Sequence, residues 1–231
     1  FLQNEPQAEK YIHPYMMGKD FIARKSRYCL WLKDILPSEL KKYPKIMERV
    51  KNVREFRLSC PSPDTNHYAD KPIFPVRLRY YSEDRINPAL ALPKVSSQNR
   101  RYIPMEVIDA DVIAGSKLFL IPDISLYYFG VLTSNVHMAW MRTVCGRLKS
   151  DYSYASNVVY NTFPWPEPTA QQRQKIEQTA QAILDARALY PDSSLADLYD
   201  ELTMPPELRK AHRQNDMAVM QAYGFTKGSE A

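Results

Sequence analysis

The sequence predicts an α+β fold: a mixed, largely antiparallel sheet of short strands with packed helices, followed by a small C-terminal helical region. Three observations lead there. Short apolar runs bounded by proline or Gly-Ser recur between residues 72 and 121, the pattern of short strands separated by turns. After residue 169 apolar residues recur at helical spacing,. The change falls at Phe163-Pro164-Trp165-Pro166-Glu167-Pro168, whose prolines can neither continue a helix nor donate to a strand ladder. The expected organisation is one domain over residues 1–165 and a helical region over 166–231.

Each element has its own warrant. Residues 37–56 read as helical, with Leu40, Ile46, Met47, Val50 and Val53 apolar; Pro44 splits the run because its ring clashes with the preceding turn. Residues 72–81 alternate after Pro75, with Val76, Leu78 and Tyr80 on one side and Arg77, Arg79 and Tyr81 on the other, as in a half-buried strand. Leu90–Val95, Tyr102–Ile108 and Lys117–Ile121 read as further short strands. A helix starts after Thr133 with Ser134 as cap. It runs through Val136, Ala139, Trp140 and Val144 to Gly146, with Trp140 and Met141 expected in the core,. Thr169-x-x-Gln172 is a capping box,, followed by Ile176, Ala180, Ile183 and Leu184 at helical spacing,. Pro191 closes that helix. Ser194-Leu-Ala-Asp197 opens a short one, and Pro205-Pro206 and Gly224 bracket a third,.

The chain has 231 residues, 45% apolar and 25% charged, a globular composition,. No run approaches the roughly 18 consecutive apolar residues of a membrane span, and residues 1–30 lack the basic-then-apolar pattern of a signal peptide,. Starting at Phe1 without an initiator Met, the sequence reads as a fragment of something larger. Cys29, Cys60 and Cys145 are far apart and show no metal-ligand spacing,, so they read as buried thiols in a reducing cytoplasm. The net charge of +5 is unevenly placed. Residues 1–165 hold 24 Lys+Arg against 16 Asp+Glu, whereas residues 166–231 hold 7 against 10. A basic body with a mildly acidic tail suits a partner that is a polyanion.

Catalytic signatures are sparse. Six glycines form neither a GxGxxG nor a phosphate loop, and no GxSxG elbow occurs,. His13, His67, His137 and His212 are dispersed, with no HExxH. Asp109 and Asp111 form a carboxylate pair expected at a solvated loop edge,. Asn161-Thr-Phe-Pro stands where an amino-methyltransferase would have an Asn/Asp-Pro-Pro-aromatic loop, but its second and third positions differ, and it reads as a structural corner.

Two segments carry groups suited to DNA. Between two predicted strands lie Lys94, Ser96, Ser97, Gln98, Asn99, Arg100 and Arg101. Arginine can pair bidentately with guanine, Gln or Asn with adenine, and serine hydroxyls can hold phosphates. A polar turn is the plain alternative. The second segment comprises Arg142, Arg147 and Lys149, expected toward the C-terminal end of the 134–147 helix, with Tyr152 and Tyr154 beyond. The arginines there could equally serve the helix dipole.

The run HMAWMRTVCGRLKSDYSYASNVVYNTFPWP resembles the hallmark segment of the MmeI-like (type IIL) restriction-modification enzymes and their bacterial adenine-methyltransferase relatives. GKDFIARKSRYCLWL, VSSQNRRYIPM, LFLIPDISLYYFGVL and ILDARALYPDSSLADLYDELTMPPELRKAH follow the family order. The resemblance implies a target-recognition domain followed by the family's C-terminal helices, within a polypeptide that also holds an endonuclease region, a helical connector and an S-adenosylmethionine-dependent methyltransferase domain. It also suggests kinship with the specificity subunits of type I systems, in which a helix leads to a proline-rich corner and a long helix, as in FPWPEPTAQQRQKIEQ. The implied partners are double-stranded DNA and the methyltransferase domain of the same polypeptide, with no membrane. The implied cofactor, S-adenosylmethionine, belongs to that other domain, and no catalytic residue is assigned to this chain. Two departures stand out. Residues 96–101 are Ser-Ser-Gln-Asn-Arg-Arg where relatives have Ser-Ser-Glu-Arg-Arg, and residues 151–155 are Asp-Tyr-Ser-Tyr-Ala where relatives have Asp-Tyr-Arg-Tyr-Ser. The competing reading is a docking module that binds the catalytic domain or another protein without touching bases. Basic groups gathered on one surface favour DNA; groups spread evenly favour docking.

Overall fold

A computed structural model describes residues 2–25, 27–74 and 87–225. It resolves into two compact units: Phe1–Tyr15 with Ser26–Asp84 and Asp111–Ile113, and Met16–Lys25 with Arg85–Ala110 and Ala114–Ala231. The strand expected over residues 76–81 lies outside the described residues.

In the first unit β1 (Ile12–Met16) pairs antiparallel with β2 (Arg27–Leu30), placing His13 opposite Cys29. Helices α2 (Pro37–Leu40) and α3 (Pro44–Ser59) follow, and the break falls at Pro44 as expected. Ala8, Leu32, Ile35, Tyr43 and Ile46 make the core. Of the five apolar positions predicted for this helical run, only Ile46 is fully buried; Met47 and Val53 face outward. The low-exposure side of α3 is completed instead by Arg57, whose guanidinium donates to the carbonyls of Tyr68, Lys71 and Phe74 at 2.9, 2.9 and 2.7 Å. Three bonds to chain that has left the helix offset the cost of burying that cation. The short helix α4 (Pro63–Asn66) lies between them in sequence.

The second unit begins with α1 (Gly18–Ala23). Its central strand, β3 (Ala89–Pro93), is buried at every residue. It is flanked antiparallel by β5 (Glu106–Ile108) and β7 (Leu118–Pro122). A strand covered on both faces needs a continuous apolar run rather than alternation, and ALALP supplies one. Only the end of the predicted 102–108 strand is a strand. Tyr102–Met105 is buried but unladdered; side chains from elsewhere meet the Tyr102 hydroxyl, the Ile103 N–H and the Met105 carbonyl. The two-residue strand β6 (Ile113–Ala114) precedes β7 in sequence.

The helices follow. α5 (Leu126–Leu132) had no sequence assignment, since LYYFGVL is apolar throughout and shows no period,. α6 (Asn135–Val144) is capped by Ser134, whose hydroxyl accepts from the His137 N–H. It ends at Val144, two residues short of the expected Gly146, because Cys145 is already extended and leads into β8 (Gly146–Leu148). Arg147 and Lys149 therefore do not lie on a helix. Trp140 is only half-buried, with Nε1 on the Val159 carbonyl at 3.0 Å, whereas Met141 is fully buried as expected.

The capping box at α7 (Ala170–Ala188) is complete: the Thr169 hydroxyl accepts from Gln172 N–H at 3.3 Å, and the Gln172 side chain accepts from Thr169 N–H at 2.8 Å. α8 (Leu195–Leu198) and α9 (Pro206–Ala222) complete the predicted order, and Gly224 takes the left-handed conformation that stops the last helix,. α7 packs along α9 and against α5. Tyr127, Val131 and Phe163 share one core cluster with Ile176, Ala218 and Val219. At its heart Asn215 donates to the Gly130 carbonyl at 2.7 Å and accepts from the Thr179 hydroxyl at 3.0 Å, joining three helices by one buried amide. Among the described residues no helix is long and apolar enough to cross a membrane.

Candidate nucleic-acid interface

The two segments singled out in the sequence meet in a small sheet of the second unit. β4 (Val95–Ser96) and β8 flank β9 (Asp151–Ser153), both antiparallel. The register sets Ser96 opposite Tyr152 and Tyr152 opposite Arg147, so residues about fifty positions apart share one row. Tyr152 in β9 and Tyr154 just past it are both buried.

The turn leaving β4 is built by local bonds. The Ser97 hydroxyl accepts from Asn99 N–H at 3.3 Å and its carbonyl from Arg100 N–H at 3.1 Å, while the Asp151 carboxylate accepts from Gln98 N–H at 3.4 Å. Arg142, at the end of α6, donates to the Arg101 carbonyl at 2.8 Å. The 97–101 turn, the 146–153 hairpin and the end of α6 therefore form one surface. On it the side chains of Gln98, Asn99, Arg101, Arg147 and Lys149 are exposed. Arg147 lies over the Tyr152 ring at 4.0 Å and donates to the Ser150 carbonyl at 3.0 Å. Lys149 stands at the hairpin tip with φ 56°, a left-handed conformation unusual for lysine,.

The remaining candidates have other surroundings. Lys94 places its ammonium 4.6 Å from the Phe119 ring centroid. Ser96 is buried with its hydroxyl unpartnered. Arg100 is half-buried, its Nε without a partner; burial lowers its pKa, while the carboxylates of Asp200 and Asp151 raise it. Tyr154 is the underside of the sheet. His137 Nδ1 sits 2.7 Å from the Leu132 carbonyl, which can only accept, so Nδ1 carries the proton and Nε2 accepts from the Tyr154 hydroxyl at 3.2 Å. Burial pushes the His137 pKa down to about 4 and the Tyr154 phenol up. Tyr152 and Tyr154, expected at a DNA-facing surface, are buried, since ring burial outweighs exposure of one hydroxyl.

A buried polar chain behind the turn went unread in the sequence. The Tyr102 hydroxyl donates to Asp216 Oδ2 at 2.6 Å, and Asp216 Oδ1 accepts from Asn135 N–H at 2.7 Å. Tyr102 stacks on His212 with centroids 4.1 Å apart. No sequence signal short of co-variation would pair residues 102 and 216.

Asp109 and Asp111 are both exposed. Among the described residues no group of three or more His, Cys, Asp and Glu side chains could hold a metal. The three cysteines are free and only partly buried, and burial raises the Cys29 thiol to about 11.

Residues 1–167 match the family described as "MmeI, target recognition domain", and residues 168–231 that described as "MmeI, C-terminal domain". The chain is 37% identical over 218 residues to DNA methyltransferase A of Bacillus subtilis (strain 168), covering 94% of this chain and 24% of that protein. It also superposes on a solved structure of the type IIL restriction-modification enzyme MmeI in complex with DNA. The TM-score is 0.92 at 42% identity, over 100% of this chain and 30% of the other. The chain therefore spans less than a third of the length of either relative.

Proposed function

Because this chain belongs to the MmeI family, through its target recognition and C-terminal domains, we propose that it is the sequence-reading part of a longer adenine-N6 DNA methyltransferase of the restriction-modification kind. The observation that carries this reading is the β4-β9-β8 surface. It gathers a polar turn able to read base edges beside a hairpin bearing cations. Gln98, Asn99 and Arg101 are assigned to base edges, and Arg147 and Lys149 to phosphates. Arg142 and Ser97 shape the turn, and Ser96, Tyr152 and Tyr154 support it. Residues 1–165 are assigned to recognition and 166–231 to a helical support. The clustering of Arg101, Arg147 and Lys149 favours double-stranded DNA over the docking alternative.

The Asn161-Thr-Phe-Pro corner and Gly130 offer no seat for a methyl donor. Phe163 of the Asn161-Thr-Phe-Pro corner is buried against His137 and Trp165, and the Thr162 hydroxyl is spent on the Val158 carbonyl. Gly130 faces side chains that leave no cradle. We assign S-adenosylmethionine to a catalytic domain outside these residues. The chain itself is assigned no catalysis and is placed with its DNA in the cytoplasm.

The test uses the full polypeptide that carries this chain. Sequencing methylated sites should give one target for the wild type and a target relaxed at one position for Gln98→Ala or Arg101→Ala. Arg147→Ala should weaken binding to every duplex alike and reduce the slope of log affinity against log salt by about 1. An unchanged target and unchanged affinity in the triple variant would sink the assignment.

A further inference from the structure

We infer that the C-terminal helices set DNA selectivity without touching DNA, with Asp216, His212 and Arg187 acting as positioning residues for the 97–101 turn. The inference rests on the proposed recognition function and deepens it.

The turn runs directly into Tyr102–Met105, four buried residues with no strand partner. Such a segment has no ladder to fix its position along the chain direction, and other groups hold it at both ends. At one end, Asp216 accepts from the Tyr102 hydroxyl at 2.6 Å, and His212 stacks under the Tyr102 ring at 4.1 Å. At the other, Arg187 of α7 donates to the Met105 carbonyl at 2.6 Å. These ends are joined behind the segment. Arg187 Nε donates to the Tyr199 hydroxyl at 2.8 Å, and His212 Nε2 lies 2.9 Å from that same oxygen. Between the ends, Ile103 N–H points at the Met138 sulfur at 3.4 Å.

Tyr102, Arg187, Tyr199, His212 and Asp216 are all buried, so none can meet a duplex directly. A buried carboxylate and a buried guanidinium are costly groups for a scaffold that only needs packing. Both are aimed at the backbone or side chain next to the turn. Asp200, the residue after Tyr199, also acts on Arg100 through its charge. Base readout requires side chains held to a fraction of an ångström. A turn whose following residue can slide loses its base contacts, while the phosphate contacts assigned to Arg147 and Lys149 of the hairpin remain.

The experiment again uses the full polypeptide. Affinity is measured for the wild-type target duplex and for duplexes altered at one base pair, with thermal midpoints and salt slopes recorded alongside. Tyr102→Phe keeps the stacked ring and deletes only the hydroxyl. It should shrink the preference for the target by about tenfold while leaving the salt slope unchanged. Asp216→Asn, which keeps the side-chain shape but leaves one acceptor oxygen for the Tyr102 hydroxyl and the Asn135 N–H that Asp216 serves, should do the same. Asp216→Asn carries the test if Tyr102→Phe fails to fold. Ile183→Val in α7, buried but outside this chain of groups, should lower the midpoint and leave the preference intact. If preference survives in both single variants while their midpoints fall, the groups are merely structural and the inference is wrong. A wild type with no preference for any duplex would instead overturn the recognition function on which it rests.

Discussion

Gly130→Ala sets two effects of known size against each other. Gly130 lies inside α5, where alanine ordinarily stabilises a helix by about 0.5–1 kcal/mol through lower chain entropy. Here the added methyl would stand 2.7 Å from Ile176 Cγ2, 3.1 Å from Ala180 Cβ and 3.1 Å from Asn215 Oδ1. Carbon–carbon contacts are most favourable near 3.5–4.0 Å, so the closest approach is deeply repulsive. The neighbours cannot give way. Ile176 and Ala180 are fully buried, the isoleucine is branched at Cβ and stiff, and Asn215 is held by bonds to Thr179 and to Gly130 itself. Overpacking of this kind costs about 1–3 kcal/mol. It exceeds the propensity gain, and a net loss of about 1–2 kcal/mol lowers the midpoint of a domain this size by roughly 2–8 °C. Calorimetry on the single variant and in an Ile176→Ala background gives the decisive comparison. Removing Cγ2 should reduce the penalty of Gly130→Ala, leaving only the 3.1 Å approaches to Ala180 and Asn215,. A raised midpoint in the single variant, or an undiminished penalty in the Ile176→Ala background, would refute the close packing of α5 on α7.

Two further outcomes are expected. His137, buried and held neutral, has its pKa lowered from 6.5 to about 4 by desolvation. The unfolded chain therefore takes up the proton first. The stability due to the neutral ring is fully present above pH 6.5 and is lost as pH falls toward 4, at about 1.4 kcal/mol per unit and about 3 kcal/mol in all. Urea unfolding of wild type and His137→Gln across that range should show a shallower slope for the variant; parallel slopes would mean that His137 is not buried neutral. Thr169→Ala opens the capping box of α7 and should cost about 1 kcal/mol, seen as a midpoint lower by roughly 2–4 °C. An unchanged midpoint would show that the Thr169–Gln172 bonds contribute nothing.

What was legible in the sequence was what short-range chemistry controls. Pro44, Ser134, Thr169 with Gln172, and Gly224 each act within one helical turn, and each marks a real boundary. Leu90–Val95 and Lys117–Ile121 read as short strands for the same reason, and β3 and β7 overlap them. The Gly146–Ser153 hairpin was misread because Arg147 and Lys149 follow a true helix and can complement its dipole. That stretch folds back on itself as β8 and β9, and β9 in turn pairs with Val95 and Ser96, some fifty residues earlier. Tyr152 and Tyr154 were likewise placed at the surface, since a tyrosine carries both an apolar ring and a polar tip. Which of the two prevails depends on what lies against the ring, here His137 for Tyr154 and Arg147 for Tyr152.

The sequence alone determined the fold class, the family and the helix boundaries at Pro44, Ser134, Thr169 and Gly224, because capping, proline geometry and hydrophobic period are local and leave a record in neighbouring residues. The tertiary structure alone decided that the 97–101 turn and the 146–150 hairpin form one surface, and that Tyr102 is held by Asp216, 114 residues away. A hydrogen bond between distant residues leaves no period in the chain. Its partners become neighbours only when burial of the surrounding apolar surface brings them into a medium where an unpaired polar group is too costly to leave.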